Sequence, residues 1–257
     1  MTRSFGCRYN EGVNCLACGP TDAPASREHV FSAWLLREFD PDIAMALFRL
    51  NPDGTNHKVR QEIKLDGFKL KGVCEPCNNG WMSQLEDKAK PIILDLVHGR
   101  RKLDALGGGD RTALARWVAK TAIIESHSVG AECPIDPKHL RWLRKCDDPG
   151  RVIVAACKTQ WLGFGHIQVG VITDLIGGGK AAGSITLIAI PKLVFACAFP
   201  MLDIPYQARC VKSLYTPIWP EARDWREMKQ TAMPEVPDPG EMLAAMAERI
   251  EMFQSVV

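Results

Sequence analysis

The chain has 257 residues, of which 46% are hydrophobic and 24% charged, and its formal net charge is +2. This composition is typical of a soluble globular protein and excludes a disordered or fibrous one. The charge is too evenly balanced to indicate a nucleic-acid partner by itself. Because no uncharged apolar run approaches the ~20 residues that span a bilayer, and no apolar signal segment follows Met1, we expect a cytoplasmic protein without a membrane partner.

Cysteine is the first residue type whose spacing is informative. The chain has ten cysteines, and four of them form two C-x-x-C pairs, Cys15 with Cys18 and Cys74 with Cys77. Without a secretion signal, such pairs indicate metal binding more than disulfides, and four thiolates are the ligand set of a closed tetrahedral zinc site. We therefore predict one shared structural zinc, the alternative being two pairs of unligated thiols. The other six are predicted to be buried free thiols: Cys7, Cys133, Cys146, Cys157, Cys197 and Cys210.

The first segment in chain order joins the first cysteine pair to an acidic residue and a histidine. A turn-rich stretch over residues 19–24 follows the pair and leads into Glu28-His29-Val30, which we predict to be a strand. A short helix is predicted over residues 31–39, with Ser32 as its N-cap, because Asp40-Pro41 ends the pattern.

A hairpin is predicted over residues 56–73, where polar and apolar residues alternate and Asp66-Gly67 supplies a turn. Its polar face is mostly basic. Such a row can lie along a phosphate backbone, or it can be a solvated row that protects a sheet edge, and the sequence leaves both interpretations open. The residues concerned are Lys58, Arg60, Lys64, Lys69 and Lys71.

A helix is predicted to start directly after the second cysteine pair and to run over residues 78–98, with Pro91 ending or kinking it. Three consecutive glycines, Gly107 to Gly109, then mark a predicted domain boundary. We thus expect one domain over residues 1–106 and a second over residues 110–257, the second selecting a substrate or a partner.

The second half is predicted to combine helices with an antiparallel sheet. Helical patterns cover residues 111–127 and 137–145, and an amphipathic helix is predicted over residues 239–253. Between them lie β-rich runs at residues 152–157, 166–172, 184–190 and 193–199, separated by Gly and Pro. The fold class is therefore predicted to be α+β.

Three motifs together resemble a known family. Cys15-Leu16-Ala17-Cys18, Glu28-His29-Val30 and Cys74-Glu75-Pro76-Cys77-Asn78 resemble, in this order, the cysteine-bearing branch of the HNH endonucleases. The resemblance covers roughly the first hundred residues. It implies a zinc-stapled, treble-clef-like ββα-metal domain in which Glu28 and Asn78 bind a catalytic Mg²⁺ or Mn²⁺ ion and His29 is the general base. Asn79 is an alternative ligand to Asn78.

The chemistry of these residue types agrees with that assignment, because hard cations prefer carboxylate and amide oxygens and imidazole accepts a proton near neutral pH. The resemblance implies metal-dependent hydrolysis of phosphodiester bonds, in DNA rather than RNA, in phage defence or a mobile element. The alternative function is a non-catalytic zinc-binding module for nucleic acid or protein. The remaining histidines are interpreted as structural or surface residues: His57, His98, His127, His139 and His166.

Overall fold

The computed structural model describes residues 12–39, 44–50, 56–64, 69–128, 134–150, 152–159, 162–174, 180–200 and 216–219. The predicted helix at residues 239–253, the predicted turn at Asp66-Gly67, and Cys7, Cys133 and Cys210 lie outside these residues. The described part of the chain combines helices with a mainly antiparallel sheet, as the predicted α+β class requires. None of its helices is both long enough and apolar enough to cross a bilayer.

The helices cluster around one long element. They are α1 (Ala33–Glu38), the single turn α2 (Glu75–Cys77), α3 (Ser83–Val97), α4 (Gly108–Ser128) and α5 (Lys138–Lys145). A π-helical turn, Asn78–Met82, joins α2 to α3, and a 3-10 turn, Leu103–Ala105, lies between α3 and α4. Pro91 does not end the helix, since α3 continues through it to Val97.

The strands form one large sheet and two small ones. The described strands are β1 (Val13–Cys15), β2 (Gly19–Thr21), β3 (Glu28–His29), β4 (Ala44–Leu50), β5 (Asn56–Lys64), β6 (Lys69–Leu70), β7 (Ile153–Lys158), β8 (Phe164–Asp174), β9 (Lys180–Ile190), β10 (Leu193–Pro200) and β11 (Thr216–Trp219). The large sheet has the order β11-β7-β10-β9-β8-β4-β5, and β1-β2 and β3-β6 are the two small sheets.

Strand pairing overturns the predicted hairpin over residues 56–73. Strand β5 pairs with β4 in the large sheet, whereas β6 pairs with β3 beside the cysteines. The reason is that residues 44–50 form a strand that the sequence interpretation left out, and this strand is the antiparallel partner of β5. The pairing of β4 with β8 is parallel, and the other neighbours in the large sheet are antiparallel.

The segments on either side of the three glycines share structure. Strands β4 and β5 come from the first hundred residues but extend the sheet built by β7 to β11. One hydrophobic core also runs from Cys15 to Ile218, and α4 begins at Gly108, inside the glycine run. Whether residues 1–106 and 110–257 fold as independent domains stays a prediction, but the sheet and the core are common to both.

Helix α4 lies at the centre of this core. It packs against α3 and α5, against β6 of the small sheet and against the large sheet at β7, β9, β10 and β11. Residues 117–126 of the helix are buried on every side. Two of these buried residues are charged types, Lys120 and Glu125, and a buried charge requires a partner or a change of protonation.

Candidate functional site

The four predicted zinc ligands lie together. The sulfur atoms of Cys15, Cys18, Cys74 and Cys77 are all within 4.8 Å of one another, and the Cys18 and Cys74 sulfurs are 3.7 Å apart. In a tetrahedral site with Zn–S bonds of about 2.3 Å, two sulfurs are about 3.8 Å apart. The four thiols therefore fit a metal such as zinc, as the spacing of the two pairs predicts.

Local backbone geometry brings the two pairs together. The first pair lies on the tight β1–β2 hairpin, where Cys15 pairs with Gly19 and Gly19 has a φ of +87°, a left-handed conformation that glycine adopts without strain. The second pair begins the helical turn α2. Two contacts join the halves: the Leu16 N–H donates to the Gly72 carbonyl at 2.9 Å, and the Cys74 N–H donates to the Cys15 sulfur at 3.4 Å.

The electrostatics of the thiols favour a bound cation. Burial raises the pKa of Cys15, but N–H groups of Cys74, Ala17 and Cys18 point at its sulfur and bring the pKa down to about 7. Burial and the neighbouring thiols raise the pKa of Cys18 to about 11 and that of Cys77 further. Since one thiolate opposes the ionisation of the next, full deprotonation requires a positive charge among the sulfurs.

Backbone hydrogen bonds hold the chain before strand β3 next to the second cysteine pair. The chain before it pairs with the chain before α2, through Ser26 N–H to Val73 O at 2.8 Å, Glu75 N–H to Pro24 O at 2.9 Å and the bridge between Ala25 and Cys74. Further along, Glu28 lies opposite Leu70 and His29 opposite Lys69.

The register changes by one residue between these two stretches. Ala25 pairs with Cys74, and Glu28, three residues later, pairs with Leu70, four residues earlier. The second chain therefore has one extra residue, at Lys71-Gly72. At this irregularity the Gly72 carbonyl accepts the hydrogen bond from the Leu16 N–H.

The side chain of Glu28 points into the core and meets a lysine. Lys120 of α4 is fully buried, and its Nζ lies 3.2 Å from Glu28 Oε1 and 2.7 Å from Glu86 Oε1 on α3. Glu28 is 5% exposed. We call Glu28, Glu86 and Lys120 the Lys120 cluster. Neither Glu86 nor Lys120 was predicted as a site residue.

The two carboxylates of this cluster differ in their environment. Burial raises the pKa of Glu28 above its ordinary value, and the attraction of Lys120 only partly offsets it. Burial also acts on Glu86, but Lys120 is closer and Ser32 donates a hydrogen bond, so the pKa of Glu86 lies below its ordinary value.

Ser32 is the N-cap residue of α1, as predicted, and its carbonyl accepts the Leu35 N–H at 2.8 Å. Its side chain makes no capping hydrogen bond to the helix. Its Oγ accepts a hydrogen bond from the Trp117 indole N–H at 3.4 Å, and its hydroxyl lowers the pKa of Glu86.

The predicted catalytic residues are only partly brought together. His29 follows Glu28 on β3 and is half-buried, and strand alternation directs its side chain to the face opposite to Glu28. Asn78 is half-buried at the start of the π-helical turn, where its N–H donates to the Cys74 carbonyl at 3.0 Å, and Asn79 is exposed. Among the described residues Asn78 makes no side-chain hydrogen bond to Glu28.

The divalent ion that the resemblance implies does not fit at Glu28. The carboxylate is buried and its Oε1 is already 3.2 Å from an ammonium group. An ion bound to that oxygen would face a fixed positive charge in a medium of low dielectric constant. We therefore assign no reaction step to an ion held by Glu28.

The predicted basic row is divided between two sheets. Lys69 and Lys71 are exposed, and Lys69 lies directly opposite His29 in the β3–β6 ladder. Lys58, Arg60 and Lys64 lie on β5, at the edge of the large sheet, and the structure describes only their backbone. Because the two groups belong to different sheets, they do not form the single hairpin face that the sequence suggested.

A second buried pair lies on the opposite side of α4. The Nδ1 of His166 on β8 is 3.3 Å from Oε1 of Glu125, and the two side chains are 2% and 0% exposed. Burial raises the pKa of Glu125 well above its ordinary value and lowers that of His166 to about 3. His166 is thus a structural histidine, as interpreted from the sequence, but it has a partner that the sequence interpretation did not identify.

The missed residues on α4 did have a sequence signal. Lys120 lies three residues after Trp117 and four before Ile124, so it falls on the same apolar face of the helix. A charged residue on a buried stripe has to find a counter-charge. That reasoning predicts a partner for Lys120, but it does not say which of the many acidic residues it is.

No family model, curated protein or solved structure matches this chain. Function therefore has to be inferred from the motifs and from the geometry around the cysteines.

Proposed function

We propose that the protein is an HNH-type endonuclease that hydrolyses phosphodiester bonds of DNA rather than RNA, in the cytoplasm, and that Cys15, Cys18, Cys74 and Cys77 bind one structural zinc. The observation that carries the proposal is the arrangement around the four sulfurs. A strand bearing the acid-histidine pair runs antiparallel to β6, and the chain after β6 enters the helix that starts with Cys74. This order, two paired strands and a helix around a zinc frame, is the one that the resemblance implies.

In the proposed reaction His29 is the general base. Its imidazole takes a proton from water, the water oxygen forms a bond to phosphorus, and the phosphorus–oxygen bond to the leaving nucleotide breaks. Lys69, exposed and opposite His29, is in place to contact a phosphate of the backbone. The zinc has no part in this chemistry, because four thiolates leave it no open position.

The proposal includes a Mg²⁺ or Mn²⁺ requirement, which comes from the resemblance. Such an ion offsets the charge that builds on the phosphate oxygens. Asn78 or Asn79 at the helix start remains the proposed protein ligand, and Glu28 is not, since Lys120 holds it. A role in phage defence or in a mobile element belongs to the same proposal, by analogy with the enzyme type.

The test is cleavage of supercoiled plasmid in the presence of Mg²⁺ or Mn²⁺. We expect wild type to nick or linearise the DNA and His29→Ala to lose at least about a hundredfold in rate, the usual contribution of a general base. The matched control is His98→Ala, which removes an exposed histidine that pairs with Glu38. All three proteins should contain one zinc per chain and melt within a few degrees of one another.

Two results would contradict the proposal that the protein is an enzyme. One is equal cleavage by wild type and His29→Ala at equal zinc content, which would remove His29 from the reaction. The other is DNA binding by both proteins with no cleavage under either metal. Absence of zinc from the purified protein would contradict the proposed structural zinc site.

A second candidate function is a zinc-stapled module that binds nucleic acid or protein without catalysis. One observation favours it: Glu28 is used as a buried ion-pair partner, which is a structural role. The same plasmid experiment separates the two functions, because the module binds DNA or a protein partner and leaves the plasmid intact.

A further inference from the structure

We propose that Lys120 is the resident cation of the Glu28 site, occupying the place that the family resemblance gives to a divalent ion, and that Glu28, Glu86 and Lys120 together position His29. The inference concerns the same site as the proposed nuclease and rests on that proposal for its functional meaning. Its geometric content, which cation Glu28 binds, is testable without any activity measurement.

The distances leave little room for two cations at Glu28. The ammonium lies 3.2 Å from Glu28 Oε1. A Mg²⁺-like ion would lie about 2.1 Å from the same oxygen, so it would be at most about 5.3 Å from Nζ. Both groups would sit where burial weakens solvent screening, and the repulsion would be large.

Lys120 cannot easily move away to admit an ion. Its side chain is fully buried within α4, which is itself packed on all sides between the helices and the large sheet. Its second partner, Glu86, lies at 2.7 Å on α3, whereas Glu28 lies on β3. Ion-pair partners on two different elements therefore restrain the lysine.

The charge of Lys120 is retained at neutral pH. Burial alone would lower the pKa of the ammonium, but the attraction of Glu86 and Glu28 outweighs it and the pKa is raised. The cluster thus contains one positive and up to two negative charges, so it is already close to neutral. A divalent cation gains less from such a cluster than from two free carboxylates.

We infer that the cluster also restrains His29, the next residue on β3. Glu28 is the preceding residue on the same two-residue strand, and its side chain is tied to α4 and α3 through Lys120. With Glu28 fixed inward, strand alternation directs His29 to the other face, where its imidazole is half-buried. Glu86 and Lys120 are positioning residues in this account, since neither needs to touch the substrate.

The experiment measures Mn²⁺ binding to the zinc-loaded protein by electron paramagnetic resonance, in the absence of DNA. Four proteins are compared: wild type, Glu28→Gln, Lys120→Met and the double variant. We expect wild type and Glu28→Gln to bind Mn²⁺ equally weakly, because Glu28 does not serve as a ligand. Lys120→Met should gain a site at least tenfold tighter, between the two released carboxylates, and the double variant should lose that gain. Lys120→Arg, which keeps the positive charge, should behave like wild type.

The inference is overturned if wild type binds one Mn²⁺ and Glu28→Gln weakens that binding tenfold or more. It is also overturned if Lys120→Met folds and gains no Mn²⁺ site. If Lys120→Met does not fold, the comparison of wild type with Glu28→Gln still decides the question. These outcomes are separate from the nuclease proposal, which depends on His29→Ala in the plasmid assay.

Discussion

Helix α4 buries two charged residue types five positions apart, and the protein treats them differently. Lys120 faces β3 and α3 and meets two carboxylates at 3.2 and 2.7 Å. Glu125 faces the large sheet, where the buried imidazole of His166 lies 3.3 Å from its Oε1. In the first case the partners keep the lysine charged, and in the second burial favours the uncharged forms of both groups.

The comparison shows that burial alone does not decide whether a side chain is charged. Both residues are fully buried and lie on the same helix. The difference is that Lys120 has anionic partners which repay its desolvation, whereas among the described residues Glu125 has no cationic group that stays charged. The Lys120 side is therefore a charged cluster next to the candidate active site, and the Glu125 side is an uncharged polar contact inside the core.

The largest expected effect comes from replacing Lys120 by a side chain of similar size, and the same kind of replacement at Glu125 serves as the matched comparison. Lys120→Met leaves two carboxylates without their cation and should cost about 3–5 kcal/mol of unfolding free energy. Glu125→Gln replaces an uncharged acid by an uncharged amide, and near pH 4.5 it should change stability by about 1 kcal/mol or less. Urea unfolding of both variants with unchanged slopes measures the contrast. Equal losses in the two variants would contradict the different environments described for Lys120 and Glu125.

A smaller effect for each unit of pH is expected from the Glu125–His166 pair, and it has opposite signs for its two members. The folded pKa of Glu125 is raised, so its contribution to stability is present below its ordinary pKa of 4.5 and is lost as pH rises above it. The folded pKa of His166 is lowered from 6.5 to about 3, so its contribution is present above 6.5 and is lost as pH falls toward 3.

The measurement is the difference in unfolding free energy between wild type and each variant across pH 3 to 9. Relative to Glu125→Gln, wild type should lose stability above pH 4.5, and relative to His166→Gln it should gain stability between pH 3 and 6.5. Each difference should change by up to ~1.4 kcal/mol per pH unit, the value for one proton. Differences that stay flat with pH would show that both groups keep ordinary protonation in the folded protein.

The cysteine cluster was the most predictable part of the molecule. Two C-x-x-C pairs are the spacing of a shared metal site and so predict that four thiols meet, and the four sulfurs do lie together. The strand containing Glu28 and His29 and the helix after Cys77 follow from local patterns. The four β-rich runs of the second half likewise correspond to β7, β8, β9 and β10.

The sequence did not predict which distant strand or side chain each element pairs with. Residues 56–64 have a clear strand pattern, but alternation does not say whether the neighbour is β6 or β4, and the structure has β4. The same holds for Glu28. Its place before His29 suggested a metal ligand, while its actual partner, Lys120, is 92 residues away and is recognised only once the helices are packed. Local periodicity determines elements, whereas a buried charge finds its partner through tertiary packing.

The central claim is that two adjacent residues, Glu28 and His29, do different jobs, one structural and one catalytic. The most direct test measures plasmid cleavage per folded molecule and thermal stability together, for Glu28→Gln and His29→Ala. We predict that His29→Ala keeps wild-type stability and loses about a hundredfold or more in rate, and that Glu28→Gln melts at a lower temperature but cleaves within about tenfold of wild type. The account is contradicted if Glu28→Gln abolishes cleavage at unchanged stability, because Glu28 would then act in the reaction and not in the fold.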